Sequence, residues 1–316
     1  MRVDVHAHHF THAFLDLMSD LGTSPTELAP SRQATHDSPE LDLAQRFASM
    51  EAAGVTRQVL SAGALVPSFA SADAAVLAAR AINDEYAALC DQHPDRFSFL
   101  TAIPLPHADA TLAEIARTAP HPGCLGVTAT TATIGALLDE PANEPVFASL
   151  SEREAVLLVH PVGDACGSPA IAAEQLTWPI GAPFEDTLFV LRLLRSGWLD
   201  RYPGIKLVVP HLGGTLPFLM ERLDYMSPRF LLDGRQASTE SRRLWFDSVN
   251  GHPAALRCAV DTLGADRILL GTDYPMWRGE AHTLAVEYVT RSELPAETVA
   301  AILHGNASAL FSTTWT

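Results

Sequence analysis

Residues 2–10 read RVDVHAHHF. Apolar and polar residues alternate up to His6, which is the period of a strand. Residues two apart on a strand face the same way, so His6 and His8 can reach a common ion from the strand's C-terminal end, while His9 points elsewhere. HxH alone supports two readings: a pair of metal ligands, or two partly buried histidines bonded to backbone carbonyls. The choice depends on what the rest of the chain brings to the same place.

Seven more short β-rich apolar runs follow: 56–61 (TRQVLS), 97–103 (FSFLTAI), 125–128 (LGVT), 155–159 (AVLLV), 206–210 (KLVVP), 244–248 (LWFDS) and 267–271 (RILLG). Helical patterns lie between them over 41–53, 71–92, 109–118, 144–153, 186–199, 216–225 and 253–263, and after the last run over 282–291 and 295–303. Eight strand–helix repeats with right-handed crossovers and parallel pairing predict one (β/α)8 TIM barrel, a single domain over residues 1–316. Two connections, 9–40 and 161–185, are longer than the usual βα loop of about 2–6 residues. Both follow strand C-termini, the end that carries the active site in this fold, so they are expected to cover the site.

Hydrophobic residues make up 47% of the chain, enough for a large core. The formal net charge of −16 disfavours nucleic acid or an anionic membrane as partner. No apolar run approaches the roughly 20 residues that span a bilayer. Asp4, His6 and His8 interrupt any hydrophobic region of a signal peptide, so a cytoplasmic location is expected. Cys90, Cys124, Cys166 and Cys258 are far apart and form no CxxC, which reads as reduced thiols. Lys206 is the only lysine. No GxGxxG follows a strand and Ser61 lacks an elbow motif, so neither a nucleotide site nor a serine hydrolase is indicated.

Polar residues recur at other strand ends. LLVHP puts His160 after the fifth strand, LVVPHLGG puts His211 after the sixth, and LLGTDYP puts Asp273 after the eighth. Any one of them can be a satisfied strand-end polar group. Together His6, His8, His160 and Asp273 supply three neutral nitrogens and an anionic oxygen, a set that suits a divalent ion such as zinc with a position left for water or substrate. His211 then lies outside the ligand set as a proton-transfer group, and Asp273 is a second candidate for that task.

With HAH, HP, HLGG and GTDYP at strands one, five, six and eight, the chain resembles the amidohydrolase superfamily. It is most similar to the branch related to aminocarboxymuconate-semialdehyde decarboxylase. RFASMEAAGVTRQVLS, RSGWLDRYPGIKLVVPHLGGTLPFLMERLD and GNASALF extend the resemblance over nearly the whole chain. The resemblance implies one divalent metal: zinc where strand one carries HxH, manganese in several relatives with glutamate at the first position. Binuclear relatives bridge two ions with a lysine at the end of strand four. CLGVTATT has none there, which favours a single ion.

The resemblance further implies nonoxidative decarboxylation of a small aromatic or muconate-like acid, with the methylsalicylate type the nearest in pattern. Hydrolysis or hydration of a lactone, a carbon–carbon bond or an unsaturated acid by the same site is the rival, and a noncatalytic barrel is the second. In a decarboxylase, either the ring carbon is protonated directly, by Asp273 or His211, or water activated at the metal adds first with His211 as base. A carboxylate substrate calls for arginine, which grips it bidentately. Arg32 in the first long connection and Arg222 after HLGG are the candidates, the alternative for Arg222 being a surface salt bridge. Phe69, Trp178 and Trp277 follow strands two, five and eight and are expected either as aromatic walls or as lid packing. A homodimer is a further implication of the resemblance.

Overall fold

Each of the eight apolar runs forms a strand: β1 (Val3–His8), β2 (Arg57–Ser61), β3 (Phe97–Ala102), β4 (Cys124–Thr130), β5 (Val156–His160), β6 (Lys206–Val209), β7 (Trp245–Asp247) and β8 (Ile268–Leu269). The structure, a computed structural model, describes residues 1–133, 136–231 and 234–315. The strands hydrogen-bond in sequence order, and each pair is parallel. Val5 N donates to Leu270 O and Asp273 N donates to His6 O, both at 2.8 Å, and Ala7 bridges Tyr274. These bonds bring β8 back to β1, so the sheet returns on itself as a (β/α)8 barrel.

Strand side chains are buried on both faces, as helix-wrapped parallel sheets require. Val3, Val5, Leu158, Val208 and Leu269 pack into one cluster inside the barrel, with Ala307 and Leu310 of the last helix (Asn306–Phe311) packed into the same cluster. The larger cluster lies between strands and helices. The β1–β2 register shifts between Asp4 and Ala7. Strict alternation would separate Val5 from His6, yet both serve the interior, so the shift re-aims the strand's end.

The longer helices are α1 (His12–Asp20), α2 (Pro25–Ala34), α3 (Pro39–Ala53), α4 (Ala72–Gln92), α5 (Ala108–Thr118), α6 (Glu144–Glu152), α7 (Ala182–Ser196), α8 (Leu216–Phe230), α9 (Pro253–Leu263) and α10 (Glu280–Thr290). Where one helix was expected over 186–199, α7 begins at Ala182 and stops at Ser196. Gly197, in the left-handed conformation at φ 68°, ends it. The segment expected as a helix over 295–303 is α-helical only over Ala296–Ala300 and then widens into a π turn, Ala301–Gly305.

The first long connection is not a plain loop. Thr11 caps α1, and Ser24 with Glu27 forms a reciprocal capping box on α2. After β4, Ala132–Thr133 pairs antiparallel with Ala136–Leu137, a hairpin the sequence pattern did not announce. Among the described residues, no helix is long and apolar enough to cross a membrane.

Candidate metal centre

The register shift in β1 delivers His6 and His8 to the C-terminal mouth of the barrel, where β5 ends in His160 and the turn after β8 presents Asp273. One ligand atom from each of these four residues lies within 4.8 Å of all the others. His8 Nε2 is 3.1 Å from His6 Nε2 and 3.0 Å from Asp273 Oδ1, and His6 Nε2 is 3.5 Å from the same oxygen.

The outward-facing nitrogens fix the tautomers. His8 Nδ1 donates to the Ser61 carbonyl at 3.0 Å and His160 Nδ1 to the Pro161 carbonyl at 2.8 Å. His6 Nδ1 donates to Asp247 Oδ2 at 2.7 Å. With Nδ1 carrying the proton, each Nε2 presents a lone pair. Three lone pairs and a carboxylate therefore face one another with no hydrogen between them. Buried acceptors do not gather in this way without a cation, so the donor set fits a divalent ion.

The electrostatics agree. Burial lowers the His8 and His160 imidazoles below their ordinary value, with neighbouring histidines adding to the effect, which keeps both neutral. Burial also pulls on His6, but Asp247 outweighs it and raises that group. Burial would raise Asp273, yet the adjoining His8 and His6 rings, with His211, hold its carboxyl well below the usual carboxylate range.

His211 stands beside this cluster, its ring centre 5.6 Å from that of His6 and 6.0 Å from that of His160. Its Nδ1 donates to Asp186 Oδ2 at 2.8 Å, which leaves Nε2 as the nitrogen free for the cavity it lines. Burial alone would depress His211, but Asp186 overrides it and lifts the imidazole to about 9. Burial raises Asp186 to about 6 despite His211. The contact with Asp186 thus favours the protonated form of His211. His211 and Asp273 both sit at positive φ, 54° and 57°, which strained functional turns tolerate.

Asp186 and Asp247 escaped sequence reasoning. Asp247 ends β7 as candidate ligands end other strands, so the same strand-end polarity could have found it. Asp186 lies on a helix and carries no such signal.

A cavity of about 490 Å³ opens above the four residues. His8, His160, His211 and Asp273 form its polar floor, and Phe10, Leu65, Trp178 and Trp277 are among its apolar walls. Phe69 lies instead on an adjoining cavity of about 730 Å³, which shares Leu65 and Trp178 with the first. Arg32 pairs with Asp16 at 2.8 Å and donates to the Leu15 carbonyl, away from the lining of both cavities. Arg222 is exposed on α8. Lys206 Nζ donates to the Leu310 carbonyl at the far end of the barrel.

The amidohydrolase family model matches residues 3–313. The chain belongs to the amidohydrolase family. Within it, the chain is similar to 6-methylsalicylic acid decarboxylase of Penicillium expansum, 29% identical over 98% of this chain and 96% of that protein. It is 26% identical to 2-amino-3-carboxymuconate-6-semialdehyde decarboxylase of Dictyostelium discoideum over 64% of this chain, a match that spans only 57% of that relative's length. Among solved amidohydrolase folds, 5-carboxyvanillate decarboxylase from Sphingomonas paucimobilis superposes with a TM-score of 0.82 at 25% identity, covering 99% of both chains.

Proposed function

We propose that the protein is a metal-dependent nonoxidative decarboxylase of a small aromatic carboxylic acid. The observation that carries this reading is the convergence of three imidazole lone pairs and Asp273 at the floor of an apolar cavity, with the His211–Asp186 pair beside them. The likeness to decarboxylases across nearly the full chain supports it.

His6, His8, His160 and Asp273 would hold one divalent ion, zinc by the character of the donors, with manganese the alternative. Such an ion supplies a Lewis-acid centre for the substrate's carboxylate and neighbouring oxygen. The protein's own groups do the rest. Trp178 and Trp277 flank the ring and keep bulk water from it. His211 gives its Nε2 proton to the ring carbon that bears the carboxylate. The carbon–carbon bond then breaks, its electron pair restores the aromatic system, and carbon dioxide leaves. Asp186 stabilises the imidazolium before the transfer.

The test is product analysis on hydroxybenzoates and methylsalicylates. A decarboxylase releases one carbon dioxide per acid consumed and uses no net water. An acid consumed without carbon dioxide release would point to hydrolysis or hydration instead.

A homodimer is part of the proposal. Phe218 and Tyr225 on α8 are 85% and 82% exposed, and Phe184 and Leu188 on α7 are 44% and 48% exposed, large apolar side chains that a second copy could cover. A cytoplasmic location accords with four cysteines that are all free thiols.

A further inference from the structure

Arg46, on α3, is 1% exposed and does not line the cavity. Its nitrogens reach two different parts of the barrel wall. Nη2 donates to the His8 carbonyl at 2.6 Å, and Nη1 donates to Gln58 Oε1 at 3.0 Å. Gln58 extends the chain, its Nε2 donating to Asp4 Oδ2 at 2.9 Å. The Asp4 carboxylate then accepts from Thr272 Oγ1 at 2.7 Å, from Thr272 N at 3.0 Å and from His6 N at 3.2 Å. The guanidinium also lies 4.5 Å from the centre of the Tyr274 ring. One connected set of contacts therefore grips the backbone of His6 and His8 on β1 and the residues on either side of Asp273.

A buried guanidinium is costly to desolvate, and whole buried ionic clusters are often replaceable by apolar side chains without loss of stability. The fork of donors is what an apolar side chain lacks. Its acceptors here all belong to the frame that carries the candidate ligands.

We infer that Arg46 is a positioning residue for the metal centre. Through the His8 carbonyl and the Gln58–Asp4 relay it fixes β1 against the turn after β8, and so sets the distance of His6 and His8 from Asp273. The inference rests on the reading that these residues hold a divalent ion.

The test is chelator-competed titration of metal-free protein with Zn2+ and with Mn2+, for the wild type, Arg46→Met, Arg46→Lys and Gln58→Leu. Thermal unfolding of each metal-free form is measured in parallel. Partners that orient metal ligands typically change affinity about 10- to 100-fold. Arg46→Met should weaken the ion's Kd by about that factor, and Gln58→Leu by less. Arg46→Lys, which can satisfy only part of this set of acceptors, should recover part of the loss. A role in packing alone would lower the melting temperature of the metal-free forms and leave Kd unmoved. Wild-type affinity in both Arg46→Met and Gln58→Leu overturns the inference. If Arg46→Met does not fold, wild-type affinity in both Gln58→Leu and Arg46→Lys overturns it. A wild type that takes up neither ion overturns the metal reading itself.

Discussion

On the proposed mechanism, Asp186 governs the chemistry without being a candidate ligand. It is the main reason that His211 keeps its proton up to about 9 when burial alone would strip it. Asp186→Asn should lower turnover by about 100-fold, the lower end of the range for positioned acid–base groups. It should also move the alkaline limb of the rate profile to lower pH, because the imidazole then loses its proton sooner. A profile that keeps its shape would remove Asp186 from the proton-transfer step. His282, wholly buried against Ser49, makes a separate prediction. Burial pulls it from 6.5 to about 4. Between those values the unfolded chain binds the extra proton, so the stability contribution is complete above pH 6.5 and is lost as pH falls toward 4. Its full size is roughly 3 kcal/mol. His282→Gln should flatten the pH dependence of the denaturation midpoint over that window, and parallel curves for the two proteins would count against it. The residues at strand ends were legible because a polar side chain after an apolar run is conspicuous. Asp186 was not, since its partner is 25 positions away and only the packing of α7 against the β6 turn joins them.

At the scale of elements, the eight strands could be read from the chain because each is a short apolar run bounded by turn residues. What the pattern could not supply was the shape of the connections. The pair 132–133 and 136–137 is too short to show a period, α1 is amphipathic but only nine residues long, and α2 has no clean apolar face. The β1 register shift was also invisible, since alternation through His6 predicts the opposite facing. Gly271, next to β8, tests how tightly these elements meet. A Cβ there would lie 2.8 Å from Asp247 Cβ and 3.0 Å from His6 Cβ, so β7 or β1 would have to move. Gly271→Ala should lower stability by about 1–3 kcal/mol, as overpacking does, and should weaken ion uptake as well. Gly305→Ala, where nothing lies within 4 Å of the added carbon, is the control and should leave uptake unchanged. Equal behaviour of the two variants in metal binding would show that the strands have slack the distances do not suggest.

For the whole molecule, an ion held from β1, β5 and the turn after β8 would tie distant parts of the wall together and bind only the folded form. Stripping it with a chelator should lower the melting temperature, and adding it back should restore it. At a free ion concentration of 1,000 times Kd the stabilisation is about 4 kcal/mol. An unchanged melting temperature would mean that the four side chains hold no ion. His8 and Asp273 meet across 265 positions of sequence. During synthesis the imidazoles of β1 therefore leave the ribosome long before their carboxylate partner exists. Non-local pairings of this kind form late and slowly. On the proposed reading, the nascent polypeptide is for most of translation an incomplete chelator, and only a finished fold would offer an ion its fourth donor.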